Sequence, residues 1–136
     1  MKKSTAYCKA KGRRLQNYIR DKIRELTNLG EGDVDSQTMG CTGTDIRLSP
    51  LGQRRFPWAV EAKNQEKWDI GNYWKQTLSN SSEDLKPLLV IKKNHHEALA
   101  ICRVDDLFGL LERINDLCDE VNNLHWQLAN EERKNG

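Results

Sequence analysis

Residues 44–63 read Thr44-Asp-Ile-Arg-Leu-Ser49, then Pro50-Leu-Gly-Gln-Arg-Arg-Phe56, then Pro57-Trp-Ala-Val-Glu-Ala-Lys63. Two short apolar/polar alternations flank a basic turn, and this pattern predicts a β-hairpin. In the first arm Ile46 and Leu48 share one face, which leaves Asp45 on the other. In the second arm Glu61 and Lys63 project from one face, ~6–7 Å apart along the strand. An Asp, a Glu and a Lys gathered on one side of a hairpin suit a divalent metal and an activated water.

The chain has 136 residues, of which 31% are charged, and carries a net charge of +2. That length holds one domain with a real core and at most a helical appendage. The longest apolar run, Pro87 to Ile91, is far too short to span a bilayer, so no membrane association is expected. No apolar segment follows Lys2 and Lys3, so the reading expects no secretory signal and a cytoplasmic, intracellular protein. Cys8, Cys41, Cys102 and Cys118 are scattered without a Cys-x-x-Cys pair, which points to reduced thiols and away from a zinc site. Charge is unevenly spread. Up to Arg24 nine Lys/Arg face one acid, while from Asp105 onward eight acids face three bases. A basic head and an acidic tail imply a polyanion-binding end and a different role for the other end.

Residues 1–10 read as a basic, mobile arm. From Lys11 to Leu29, Leu15, Ile19, Ile23 and Leu26 recur at helical spacing, with Gly30 as the stop. The opposite face carries Arg13, Arg14, Arg20, Lys22 and Arg24, either as a solvated surface or facing phosphates. Glu31 to Met39 reads as a short strand, followed by a glycine-bearing loop into Asp45. Lys67 to Asn80 reads as a helix with Ile70, Tyr73, Trp74, Thr77 and Leu78 in one stripe. Trp58, Trp68 and Trp74 read as core packing in preference to base stacking. Leu88 to Lys92 and Leu99 to Val104 read as strands, with His95 and His96 in a surface turn between them. The pattern therefore predicts an α/β core over 11–104, a mixed sheet flanked by helices.

From Asp105, a candidate N-cap, the pattern changes. Leu107, Ile114, Val121 and Leu128 are spaced by seven, as are Leu110, Leu117 and Leu124. These interleave as a and d positions, with β-branched residues at two a positions and Leu at each d, which favours a parallel two-stranded coiled coil. Residues 105–136 are thus expected to form a dimerisation helix, with a long amphipathic helix packed on its own domain as the alternative.

Asp45, fifteen further residues, then Glu61-Ala62-Lys63 resembles the signature of the PD-(D/E)xK nuclease superfamily. More narrowly it resembles phage and archaeal Holliday-junction-resolvase-like endonucleases. Lys11-Gly12 opening the first helix, Gln16 on it, Ser36 before the loop and Gln76 on the later helix fit that group. The resemblance covers about residues 11–103. It implies a restriction-endonuclease-like core and a homodimeric, Mg²⁺-dependent DNA endonuclease (Mn²⁺ as substitute) acting on branched DNA; a phage-encoded protein in a bacterial host is compatible. It places Asp45, Glu61 and the backbone carbonyl of Ala62 around the metal, with Lys63 and Gln16 as further catalytic residues. Lys11, Arg13, Arg14, Arg20, Ser36, Arg54, Arg55, Lys67, Lys75 and Gln76 become candidate DNA contacts. Relatives carry a Glu where Gln16 stands, so a second metal lacks a charged ligand here. Asp33 and Asp35 read as surface turn acids rather than as its replacement. The alternatives are a nicking or restriction-type nuclease on duplex DNA, and a non-catalytic DNA-binding dimer with a degenerate nuclease core.

Overall fold

Ser4 starts the first helix. Its hydroxyl accepts the backbone N–H of Tyr7 at 3.2 Å in the computed structural model, which describes residues 2–38 and 40–136. The order is α1 Thr5–Thr27, β1 Val34–Ser36, β2 Ile46–Leu48, α2 Pro50–Arg55, β3 Trp58–Asn64, α3 Ile70–Ser79, β4 Lys86–Lys92, β5 Leu99–Ile101 and α4 Val104–Asn135. The chain forms two compact units, one up to Cys102 and one from Arg103.

Helix α1 begins six residues before the predicted Lys11, so residues 5–10 are helical rather than a mobile arm. The Ser4 cap satisfies one of the free amides of the first turn, and Ala6 and Ala10 are strong helix formers. Leu15, Ile19, Ile23 and Thr27 form the buried i, i+4 row, and Thr27 hides its hydroxyl on the Ile23 carbonyl at 2.6 Å. Leu26, predicted in the stripe, is exposed because it lies one position off that row.

The predicted hairpin does not form. β2 pairs antiparallel with β1, not with β3. Ser49 caps α2 by accepting the Gly52 amide at 3.0 Å, and Pro50 occupies the first helical turn, so the basic loop is a short helix. Asp45, just before β2, still reaches β3 through a backbone bond from its amide to the Val60 carbonyl at 2.9 Å. The predicted 31–39 strand is confined to Val34–Ser36, and Met39 lies outside the described residues.

β3 runs parallel to β4 through the crossover helix α3, and β4 pairs antiparallel with β5. On one face Val60 and Val90 pack with Leu15, Ile19 and Ile23 of α1 and with Val34 and Ile46. On the other, Leu89 and Ile91 pack with Tyr73 of α3, and Trp68 and Trp74, partly buried, pack against this cluster. The architecture is α/β, a mixed three-stranded sheet and a separate two-stranded sheet, rather than one continuous sheet. His95 takes a left-handed turn conformation (φ 60°) and, like His96, is exposed.

β5 ends at Ile101, and α4 starts at Val104 with Arg103 as its cap, not Asp105. Asp105 and Asp106 sit in the first turn, where the helix dipole favours acids. None of the residues of α4 is buried, and its heptad leucines are exposed. Among the described residues no helix is long and apolar enough to cross a membrane.

Gly52 shows how tightly α2 seats. A Cβ there would come within 2.5 Å of the Asp33 carbonyl oxygen and 3.3 Å of the Leu48 side chain. Gly52→Ala is therefore expected to destabilise the fold by about 1–3 kcal/mol, the usual cost of overpacking. Urea unfolding would measure this; an unchanged midpoint would mean that α2 shifts freely.

Candidate active site

Pairing with β4 extends β3, and the register sets Glu61 opposite Leu89 and Lys63 opposite Ile91. Because Val60 faces the α1 core, alternation turns Glu61 and Lys63 to the opposite side of the strand. A cleft of about 540 Å³ opens along the second half of β3 and the N-terminal half of α1. Asp45, Glu61, Lys63 and Gln16 all line it, together with Lys11 and Lys67.

The contacts are specific. Asp45 Oδ2 accepts the Ala62 amide at 2.6 Å and Oδ1 accepts Gln16 Nε2 at 3.1 Å. Lys63 Nζ lies 3.4 Å from Glu61 Oε1 and 5.4 Å from the centre of the Tyr73 ring. Burial pushes the Asp45 carboxyl above the usual range, against the opposing pull of the Ala62 amide, Lys63 and Gln16. Burial also raises Glu61, with the nearby Asp45 charge adding to it, while Lys63 and Asn80 pull it down. Both acids thus sit where negative charge is under-compensated.

That imbalance fits a divalent cation. Among the described residues no group of three or more His, Cys, Asp or Glu side chains is placed to hold a metal ion. Asp45 and Glu61 are the two carboxylates that meet in the cleft, while Glu66, which also lines it, is paired with Lys11. Mg²⁺ needs no more, since it keeps several waters and is commonly held by one or two carboxylates with substrate phosphate. Gln16 Oε1 is buried and has no hydrogen-bond partner, which leaves one acceptor for a bound water or an ion's hydration shell. Asp33 and Asp35 do not line the cleft; Asp33 binds Ser49 Oγ at 2.6 Å and Asp35 binds Arg24 at 2.9 Å.

The candidate DNA contacts divide. Lys67 is exposed in the cleft. Lys11 also lines it but is buried, its ammonium bound to Glu66 at 2.8 Å, so its charge is already matched. Arg13 and Arg14 are exposed on α1, and Arg14 lines a separate cavity. Arg20 pairs with Asp21 at 2.9 Å, and Ser36 donates to Asn17 at 2.9 Å. Arg54 and Arg55 sit on α2, where Arg55 clasps the Thr27 carbonyl at 2.9 Å. Lys75 and Gln76 are exposed on α3, and neither lines the cleft.

Two cleft residues escaped the sequence pattern. Glu66 anchors Lys11 and receives the Asn94 amide at 3.1 Å, and Tyr7 accepts from the Asn94 side chain at 3.3 Å. The i, i+4 spacing of Tyr7 and Lys11 was the only available hint, because their partners are 87 and 55 residues away.

No protein-family model matches the chain, and no curated protein and no solved structure matches it either.

The raised carboxyls have a consequence for stability. A carboxyl whose folded pKa exceeds its unfolded one binds more protons in the native state between the two values. Stability of the metal-free protein therefore falls as pH rises through that interval, and the full penalty persists above it. At pH 7, Glu61→Gln removes a buried charge and its repulsion with Asp45 at the loss of the Lys63 pair. The expected result is a Tm about 3 °C higher in EDTA, roughly what 1 kcal/mol produces in a domain of this size. A lower Tm would mean that the Lys63 pair outweighs burial.

Proposed function

We propose that the chain is a divalent-metal-dependent DNA endonuclease of the PD-(D/E)xK type. The observation that carries this is the meeting of Asp45, Glu61, Lys63 and Gln16 in one cleft, with both carboxyls raised by burial. The carboxylates' place on and just before strands that follow a long first helix, with a crossover helix and two more strands after them, supports it.

Asp45 and Glu61 would hold Mg²⁺, with the carbonyl of Ala62 as a backbone donor. When bound, the ion supplies Lewis-acid polarisation of the phosphate and a more acidic water. The remaining roles belong to the protein. Gln16 and the Ala62 amide hold the Asp45 carboxylate in one orientation. Lys63, steered by Glu61 and the Tyr73 ring, places a positive charge where negative charge grows on the phosphoryl oxygens, and orients the attacking water. Lys67 at the cleft contributes to phosphate binding. In-line attack would leave a 5′-phosphate and a 3′-hydroxyl. Branched DNA is the proposed substrate, because a homodimer presents two identical sites to the twofold symmetry of a four-way junction.

A supercoiled-plasmid assay tests the chemistry. Nicking should appear with Mg²⁺ or Mn²⁺ and stop in EDTA, while salt-sensitive DNA binding persists in both. Binding with no nicking in either metal would identify a DNA-binding scaffold instead.

A further inference from the structure

The exposed face of α4 points to its partner and to the direction in which that partner runs. The helix has 32 residues, about 48 Å at 1.5 Å per residue, and buries none of them. Its apolar stripe includes Leu107, Leu110, Ile114, Leu117, Val121 and Leu124, all exposed. A groove of about 420 Å³ runs through the middle, lined by Ile114, Leu117, Cys118 and Val121. We infer that this stripe binds a second copy of α4 running antiparallel, in the register that sets Ile114 against the partner's Leu117.

Flanking charge selects that occupant and that direction. Residues at e and g set orientation in paired helices. With Leu107 at a, the g positions are Asp106, Arg113, Glu120, Gln127 and Lys134, and the e positions are Val104, Leu111, Cys118, His125 and Glu132. Parallel pairing matches each g with the next e of the partner. It would set Asp106 beside Leu111 and Arg113 beside Cys118, and only Glu120 would find a cation-capable neighbour, His125. Antiparallel pairing matches g with g and e with e. Arg113 then meets the partner's Glu120 twice across the dyad, and Leu111 meets the partner's Cys118 twice. At the centre of the pair an apolar edge covers an apolar edge and a charge meets its opposite, while the outer pairs, Asp106 with Gln127 and Val104 with His125, set no like charges together. Sliding the register by one heptad would bring Glu120 against the partner's Glu120, which disfavours it. The a and d residues by themselves favour a parallel coil; the edges favour the antiparallel one.

This inference is independent of the nuclease proposal, since it is read by size and not by cleavage. The test is sedimentation equilibrium of the full-length protein and three surface variants, with circular dichroism to verify helicity. The wild type should dimerise. Arg113→Glu and Glu120→Arg should each weaken the dimer by about tenfold in Kd, as two ion pairs turn repulsive. The double variant Arg113→Glu/Glu120→Arg should return to within about threefold of wild type, because the pair is merely swapped. A monomeric wild type overturns the inference. So does an unaffected Arg113→Glu, which a parallel dimer predicts, and so does failure of the double variant to recover.

Discussion

Glu61→Gln is expected to lower Mg²⁺-dependent DNA cleavage by roughly 10³-fold or more while leaving DNA binding in place. The substitution keeps the shape of the side chain and removes one of two anionic donors, so the cleft loses the charge that would hold the ion. Losing a preorganised electrostatic group commonly costs 10²–10³-fold, about 2.7–4 kcal/mol, and loss of the ion adds to that. Asp45→Asn should behave similarly and also weaken its bond from the Ala62 amide. Affinity for DNA in EDTA should stay within about threefold of wild type, because phosphate contacts come from cations that the change leaves untouched. Single-turnover nicking and fluorescence anisotropy measure the two halves. Cleavage by Glu61→Gln within tenfold of wild type would remove Glu61 from the metal site.

Lys63→Met should lower cleavage by about 10²–10³-fold through a different route. The carboxylates remain, so a rise in Tm on adding Mg²⁺ should persist, whereas Glu61→Gln should lose it. Lys63 also holds the Glu61 carboxyl down, so its removal pushes that carboxyl further up. The Mg²⁺-induced Tm rise of Lys63→Met should therefore begin at a higher pH than that of wild type, as Glu61 must lose its proton to bind the ion. A pH series of melting curves with and without Mg²⁺ reads this directly. Full cleavage by Lys63→Met would leave Lys63 only its ion pair with Glu61.

Asp45, Glu61 and Lys63 stand out in the sequence as charged residues on strand-like alternations, and they do line one cleft. The route differs from the one the pattern predicts. A hairpin would have joined their strands along a full ladder, but Ser49-Pro50 is a helix start, and the basic turn became α2. What brings Asp45 to β3 is one backbone bond to Val60 and a side-chain bond to the Ala62 amide. Strand β3 was legible from its alternation, β4 from its largely buried apolar run, and α1 because its i, i+4 row is regular. The start of α1 lay in a local signal left unread, the Ser4 cap before Ala6 and Ala10, while the contacts of Tyr7 with Asn94 and of Lys11 with Glu66 are long-range and no local pattern encodes them. The a and d positions of α4 favour a parallel pair, and the antiparallel proposal rests on the residues at the edges of the heptad.

We propose that this cleft cuts DNA with the help of a divalent ion. A labelled four-way junction, assayed beside a linear duplex of matched sequence with and without Mg²⁺, tests it most directly. Mg²⁺-dependent cutting that leaves 5′-phosphates, faster on the junction and absent in EDTA, is the predicted result. If both substrates stay intact at every Mg²⁺ and Mn²⁺ concentration while the protein binds them, Asp45, Glu61 and Lys63 do not form a nuclease.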